Sequence, residues 1–182
     1  MPRTGSLTII AGPPGAGKST VSERVAETAE HPTVHLRTDT FYVWIRTGFV
    51  PPYLPEAVRQ NEVVSSVMVE AACGYARGGY DVVIDGVLGP WALPPFRAAA
   101  ARDALDLAYL VLRPTLDTTL ARATARVGRA LKEVEAIRGL HGAFADLGDL
   151  ERCAVDTTDQ TAEQTTAEVR DRMLSPVHAL SP

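Results

Sequence analysis

Lysine is nearly missing from this chain: it occurs only at positions 18 and 132, and arginine supplies the rest of the 18 basic side chains. A general bias toward arginine accounts for that scarcity and leaves Lys18 conspicuous, as a place where a compact ammonium is kept and a planar guanidinium is not used. Cysteine is equally sparse. Cys73 and Cys153 lie far apart with no metal-ligand spacing, which excludes a disulfide scaffold and reads as two buried free thiols. The four histidines form no ligand cluster and read as structural or solvated. No apolar run approaches the length of a membrane span, so no membrane partner is expected. The segment Met1 to Gly5 lacks the apolar core of a signal peptide, which makes a cytoplasmic location the expectation. Positive charge is short as well: a net charge of -4 gives no basic face for nucleic acid.

What is present describes one globular domain. The chain has 182 residues, 46% hydrophobic and 22% charged, and no repeat or low-complexity linker divides it. Short β-branched runs alternate with longer helical patterns. Strands are predicted at Leu7 to Ala11, Thr33 to Arg37, Tyr80 to Asp85, Asp106 to Leu112 and Arg152 to Asp156. Helices are predicted over Thr20 to Ala29, Pro55 to Arg77, Ala92 to Arg102, Leu116 to Arg126, Lys132 to Phe144 and Ala162 to Leu174, with a loose tail from Ser175 to Pro182. Five strands separated by helices imply an α/β fold, a parallel sheet with helices on both faces. Ligands then bind beyond the carboxyl ends of the strands.

After the first strand, residues Gly12 to Ser19 read Gly-Pro-Pro-Gly-Ala-Gly-Lys-Ser. Gly12, Gly17, Lys18 and Ser19 satisfy the phosphate-binding P-loop pattern in its strand-loop-helix context. Glycines let backbone N–H groups turn onto phosphate oxygens, Lys18 neutralises the β and γ phosphates, and Ser19 holds Mg²⁺. Pro13, Pro14, Gly15 and Ala16 complete the loop and Thr20 opens the helix, whose positive end faces the same anion. The rival dinucleotide fingerprint G-x-G-x-x-G fails on glycine order, although Asp39 stands at the right distance for its ribose acid.

Two acids end strands. Val82-Val83-Ile84-Asp85 is an apolar strand ending in a carboxylate, the form of a Walker B segment that approaches Mg²⁺. Asp39, after the second strand, suits a base that accepts a hydroxyl proton in line with the γ phosphate, or an N-cap for a helix starting at Thr40 or Phe41. Arg122 and Arg126 stand i, i+4 on one helix face, with one placed to stack on adenine and the other to reach phosphates. The stretch from Arg126 through Arg129 to Lys132 reads as a small lid that adds charge and excludes water.

This set of features resembles the nucleoside-monophosphate-kinase-like group of P-loop kinases, which includes adenylate, shikimate and gluconate kinases and chloramphenicol phosphotransferase. The resemblance rests on Gly12 to Ser19, Asp39 with an apolar residue two positions on, Val82 to Asp85, and Arg122 with Arg126. It implies a three-layer P-loop fold with a five-stranded sheet in the order 2-3-1-4-5, one domain over 1–182, a lid over about 126–134 and an acceptor-side cap over about 40–60. It further implies ATP and Mg²⁺ as cofactors, Lys18, Asp39 and Arg126 as catalytic residues, and Ser19 with Asp85 at the metal.

For the acceptor, the sparse aromatics are informative. Phe41, Tyr42, Trp44, Phe49 and Tyr53 follow the second strand, Trp91 and Phe96 the third. With Pro51, Pro52 and Pro55 among them, they describe either an apolar acceptor pocket or a cap packed over the sheet. Arg37, Arg46, Arg59 and Arg97 are not clustered in sequence, so an uncharged, partly apolar small-molecule alcohol is expected, contacted by Asp39, Phe41, Tyr42, Trp44, Arg59, Asp85 and Trp91. Alternatives are a gluconate-, shikimate- or nucleotide-type kinase, the zeta-toxin type included, and a non-catalytic ATP-binding switch or regulatory ATPase with a protein partner. Oligomeric state is left open.

Overall fold

The computed structural model describes residues 3–125, 131 and 133–180. Leu7–Ala11 (β1) is a continuous apolar run with every side chain buried, as a central parallel strand requires. It pairs in parallel with Asp81–Gly86 (β3) on one side and Leu107–Leu112 (β4) on the other. Thr33–Arg37 (β2) extends the sheet beyond β3, and Ala154–Val155 (β5) beyond β4, giving the order 2-3-1-4-5. The connections are Lys18–Glu27 (α1), Thr38–Val43 (α2), Val58–Arg77 (α3), Leu93–Asp103 (α4), Leu116–Thr124 (α5) and Val134–Gly142 (α6), with Ala162–Met173 (α7) last. The fold is the expected α/β three-layer sandwich.

Each face of the sheet has its own core. On one face Leu7, Ile9, Val82, Ile84, Leu107, Tyr109 and Val111 meet α3 and α4 through Met68, Ala72, Phe96 and Ala99. On the other, Ile10, Val83, Leu110 and Leu112 meet α1 and α7 through Val21, Val25 and Val169. The alternation along each strand sends neighbouring residues to opposite cores. In α3 the stripe Val64, Met68, Ala72 and Ala76 is buried, whereas Val63 and Val67 are exposed. No helix among the described residues is long and apolar enough to cross a membrane.

Several boundaries differ from the sequence reading for local reasons. The first helix starts at Lys18 rather than Thr20, because Gly17 turns the chain in a left-handed N-cap position. The third strand starts at Asp81, whose carboxylate accepts from Ser6 N and Oγ and from Arg3 and ties the strand's entry to the chain before β1. The last strand shrinks to two residues because a 3₁₀ segment, Gly148–Cys153, takes up the start of its expected span. The segment after Ser175, expected to be loose, is docked: Ala179 bridges Ala108, Leu180 N–H donates to Leu107 O at 2.8 Å, and both Leu180 and His178 are buried. Leu180 is an apolar anchor too near the end of the chain to show periodicity.

The strand order reverses at β1, between β3 and β4. The crevice beyond the carboxyl end of β1 therefore lies at the switch point where such sheets bind ligands, and the loop Gly12 to Gly17 occupies it.

Candidate active site

The loop after β1 is shaped by glycines in places where a side chain has neither the backbone angle nor the space. Gly12 has φ 144° and a Cβ there falls 2.3 Å from Leu112 O; Gly15 has φ 86° and a Cβ there falls 2.6 Å from Thr119 O on α5. The loop is thereby pressed against β4 and α5. Pro13 and Ala16 are buried, Pro14 faces the cleft, and Thr20 is exposed on the first turn of α1. Lys18 is buried and its Nζ donates to Pro13 O at 2.8 Å, so the ammonium lies along the loop it serves. No side chain caps α1, and a helix N-terminus at the end of such a loop favours an anion.

Asp85, at the end of β3, is the hub of the polar site. Ser19 Oγ donates to Asp85 Oδ1 at 3.2 Å, and His35 Nε2 stands 2.7 Å from Asp85 Oδ2. A carboxylate facing these groups accepts, so His35 Nε2 carries the proton in this contact. Ser19 and Asp85 offer a hydroxyl and a carboxylate side by side. They are hard oxygen donors of the kind that hold Mg²⁺ through few protein ligands, with phosphates and water completing its shell. Among the described residues no group of three His, Cys, Asp or Glu side chains forms a protein-only cage.

Asp39 sits in the first turn of α2, which follows β2 directly. It is not the N-cap, a position held by Arg37; the chain turns two residues earlier than the sequence suggests. Gly86 explains why α2 comes so close to β3, since a Cβ at this residue falls 2.4 Å from Thr38 Oγ1. Asp39 and Asp85 thus line the same cleft as Lys18 and Ser19. One turn beyond Asp39, Tyr42 donates to Asn61 Oδ1 at 3.1 Å. Burial raises the Tyr42 hydroxyl above its ordinary pKa, and the nearby Asp39 carboxylate adds to the effect.

The cleft has a volume of about 2030 Å³ and runs from the P-loop between α2, α3 and α4. Of the expected acceptor residues it brings together Asp39, Tyr42, Asp85 and Trp91. Phe41, by contrast, is buried in the core, and Trp44 packs on it at a ring-centre distance of 5.0 Å while facing solvent. Arg59 is exposed beside Glu62 at 3.6 Å and does not line the cleft. These three depart from the sequence reading because helix α2 turns Phe41 inward under Tyr42, and because Arg59 lies on the outer side of α3.

Arg122 projects from the last turn of α5, where its Nη2 donates to the carbonyls of Thr157, Thr158 and Gln160 at 3.1, 3.2 and 3.4 Å. It closes the loop after β5 rather than lining the cleft. Arg126 and most of the expected lid lie outside the described residues; Leu131, Glu133 and Leu140 line the cleft from that side.

Three residues at the site have no assigned role in the sequence reading, which sets Arg37 and Arg46 aside as unclustered. By sequence His35 reads as structural or solvated, and only the β2–β3 pairing carries it to an acid 50 positions away. Arg37 and Arg46 line the cleft, and their side chains make no ion pair or hydrogen bond among the described residues, although they stand nine positions apart in sequence. The one sequence signal for them was their place at and just after the carboxyl end of a strand.

A family model described as AAA domain matches residues 7–145 of the 182. The chain belongs to the AAA-domain family. The matched span of this AAA-domain chain holds the P-loop, His35, Asp39, Asp85 and Arg122. No curated protein sequence matches it. Among solved structures it is similar to a sugar kinase from Janibacter sp. HTCC2649, at 15% identity and TM-score 0.72, covering 97% of this chain and 99% of that one. It is also similar to the APS kinase of Mycobacterium tuberculosis in complex with AMPPNP and APS, at 16% identity and TM-score 0.70, covering 96% and 100%. A third is the tunicamycin resistance protein of Deinococcus radiodurans, at 15% identity and TM-score 0.69, covering 98% and 99%. Likeness at these identities establishes a shared P-loop kinase-like fold.

Proposed function

We propose that this chain is an ATP- and Mg²⁺-dependent phosphotransferase that moves the γ-phosphoryl group to a hydroxyl of a small molecule. One observation carries the reading: Lys18 and Ser19 of the P-loop share a single cleft with Asp39 and Asp85, at the ends of three adjacent strands. The cleft exceeds the roughly 300–1,000 Å³ of an ordinary ligand pocket, which suits two substrates.

ATP and Mg²⁺, when bound, supply the phosphoryl group and neutralise charge on it. The loop N–H groups and the start of α1 hold the phosphate oxygens, and Lys18 leaves Pro13 O to meet the β and γ phosphates. Ser19 and Asp85 hold the metal. Asp39 accepts the proton of the acceptor hydroxyl as its oxygen bonds to the γ phosphorus and the bond to the bridging oxygen of ADP breaks. Arg126 supplies positive charge to the transferring group, and Arg122 ties the end of α5 to the loop after β5.

For the acceptor, the walls formed by Tyr42, Phe49, Tyr53, Met68, Val87 and Trp91 favour an uncharged, partly apolar alcohol. A second reading, an acceptor carrying an anionic group, is favoured by Arg37 and Arg46, whose guanidiniums line the same cleft without a partner among the described residues.

The test is a thermal shift with and without Mg·ATP, followed by ATP consumption against a panel of hydroxylated compounds. At a ligand concentration 100 times Kd the native state gains about 2.7 kcal/mol, which gives a clear shift. Lys18→Ala is expected to fold and to lose turnover. A wild-type protein with no Mg·ATP shift overturns the proposal.

A further inference from the structure

His35 stands where a metal-binding carboxylate needs an anchor. It lies on the edge strand β2, in register with Val83, so its side chain shares a face of the sheet with that of Asp85, two residues further along β3. The imidazole is 16% exposed and the Asp85 carboxylate 6% exposed. A carboxylate so withdrawn from water is kept only with its oxygens bonded. The two bonds come from elements on opposite sides of it: Ser19 of α1 meets Oδ1 at 3.2 Å and His35 of β2 meets Oδ2 at 2.7 Å. The terminal torsion of an aspartate is soft, so a single contact leaves the carboxylate free to rotate, whereas two from different directions fix its plane.

We propose that His35 is a positioning residue for the metal: by donating from Nε2 to Asp85 Oδ2 it holds the carboxylate with Oδ1 turned toward Ser19, and thereby sets the affinity of the nucleotide-bound site for Mg²⁺. The inference rests on the Mg·ATP reading above and adds to it a residue outside the P-loop and strand-end pattern. His35 touches neither nucleotide nor acceptor in this role. It acts through Asp85, as the groups behind metal-binding side chains do, whose loss costs about 10- to 100-fold in metal affinity.

The experiment measures Mn²⁺ binding to the protein–nucleotide complex by electron paramagnetic resonance, with Mg²⁺ as competitor, and nucleotide binding separately in EDTA. Three proteins are compared: wild type, His35→Leu, which fills the space without a donor, and His35→Gln, which restores an amide donor. His35→Leu is expected to weaken Mn²⁺ and Mg²⁺ binding at least tenfold while nucleotide affinity in EDTA stays within twofold, and His35→Gln to recover most of the loss. Should the leucine variant fail to fold, His35→Ala carries the same comparison. Unchanged metal affinity in the donor-free variant overturns the inference, as does an equal loss of nucleotide affinity in EDTA, which marks a merely structural residue. Both results leave the phosphotransferase reading standing. A wild-type protein that binds no nucleotide overturns both.

Discussion

Gly86 has no room for a methyl group, and the consequence reaches the proposed base. Its own backbone demands no glycine angle; what excludes a side chain is Thr38, buried and 5% exposed, whose Oγ1, Cγ2 and Cβ lie 2.4, 2.6 and 3.0 Å from the place a Cβ takes. Thr38 precedes Asp39 in the first turn of α2, so anything that displaces it also displaces the carboxylate. Gly86→Ala is expected to cost about 1–3 kcal/mol of stability by overpacking. It should also lower turnover by tenfold or more while leaving nucleotide affinity in EDTA near wild type, because Gly12 and Gly15 press the P-loop against β4 and α5. Thermal melts together with kcat and nucleotide Kd check this, and an alanine variant with normal turnover excludes a tight coupling between the two strand ends. The P-loop was legible because its spacing is itself the chemistry. Gly86, His35 and Arg46 were not, because each matters through a neighbour that only sheet pairing or a helix turn supplies.

Among the elements, the central strands and the long helix were readable from apolar runs and 3.6-residue periodicity, while β5 and the end of the chain were not. Two residues of strand carry no pattern, and the docked end depends on contacts with β4 and α7 rather than on its own sequence. His178 makes that docking sensitive to acid. Burial, with repulsion from Arg172 and Arg152 behind it, lowers its pKa below the usual 6.5, and its Nδ1 is buried with no hydrogen-bond partner among the described residues. The folded state therefore favours the neutral ring. Its stabilising contribution is complete above about pH 6.5, the unfolded value, and is lost as the pH falls through the lower folded value. Hydrogen exchange at the Leu180 amide, which donates to Leu107 O, should accelerate relative to the core as the pH is lowered from 7.5 to 5.5, after correction for intrinsic exchange rates. His178→Leu should flatten that dependence, and an equal dependence in both proteins excludes His178 as its source.

At the scale of the whole molecule, a parallel sheet sends every strand's carboxyl end to one edge, and the proposed function gives that edge two tasks at once. The β1 and β4 side presses the P-loop into place through Gly12 and Gly15, while the β2 and β3 side carries Arg37, Asp39 and Asp85. In the proposed function the P-loop and Asp85 hold nucleotide and metal while Asp39, after β2, activates the acceptor, so binding and transfer should separate by mutation at Asp39. Asp39→Asn keeps the size and the hydrogen-bonding capacity of the side chain but no longer takes the hydroxyl proton. It should retain the Mg·ATP thermal shift and lose about 10²- to 10⁴-fold in phosphoryl transfer. A nucleotide-sensing switch, in contrast, keeps its partner response when Asp39 is replaced, so intact transfer in Asp39→Asn removes the base assignment. The same separation extends to the acceptor. Replacing Arg37 and Arg46 together with alanine removes two guanidiniums from the cleft while leaving Lys18 and Asp39 in place. For an uncharged alcohol the double variant should change KM by less than threefold. For an anionic acceptor KM should rise tenfold or more, and the rise should shrink as salt is added, because the lost attraction is between charges. Steady-state kinetics with the best neutral and the best anionic compound from the panel, at two ionic strengths, decide between the two walls of the cleft: Tyr42 and Trp91 for the first outcome, Arg37 and Arg46 for the second.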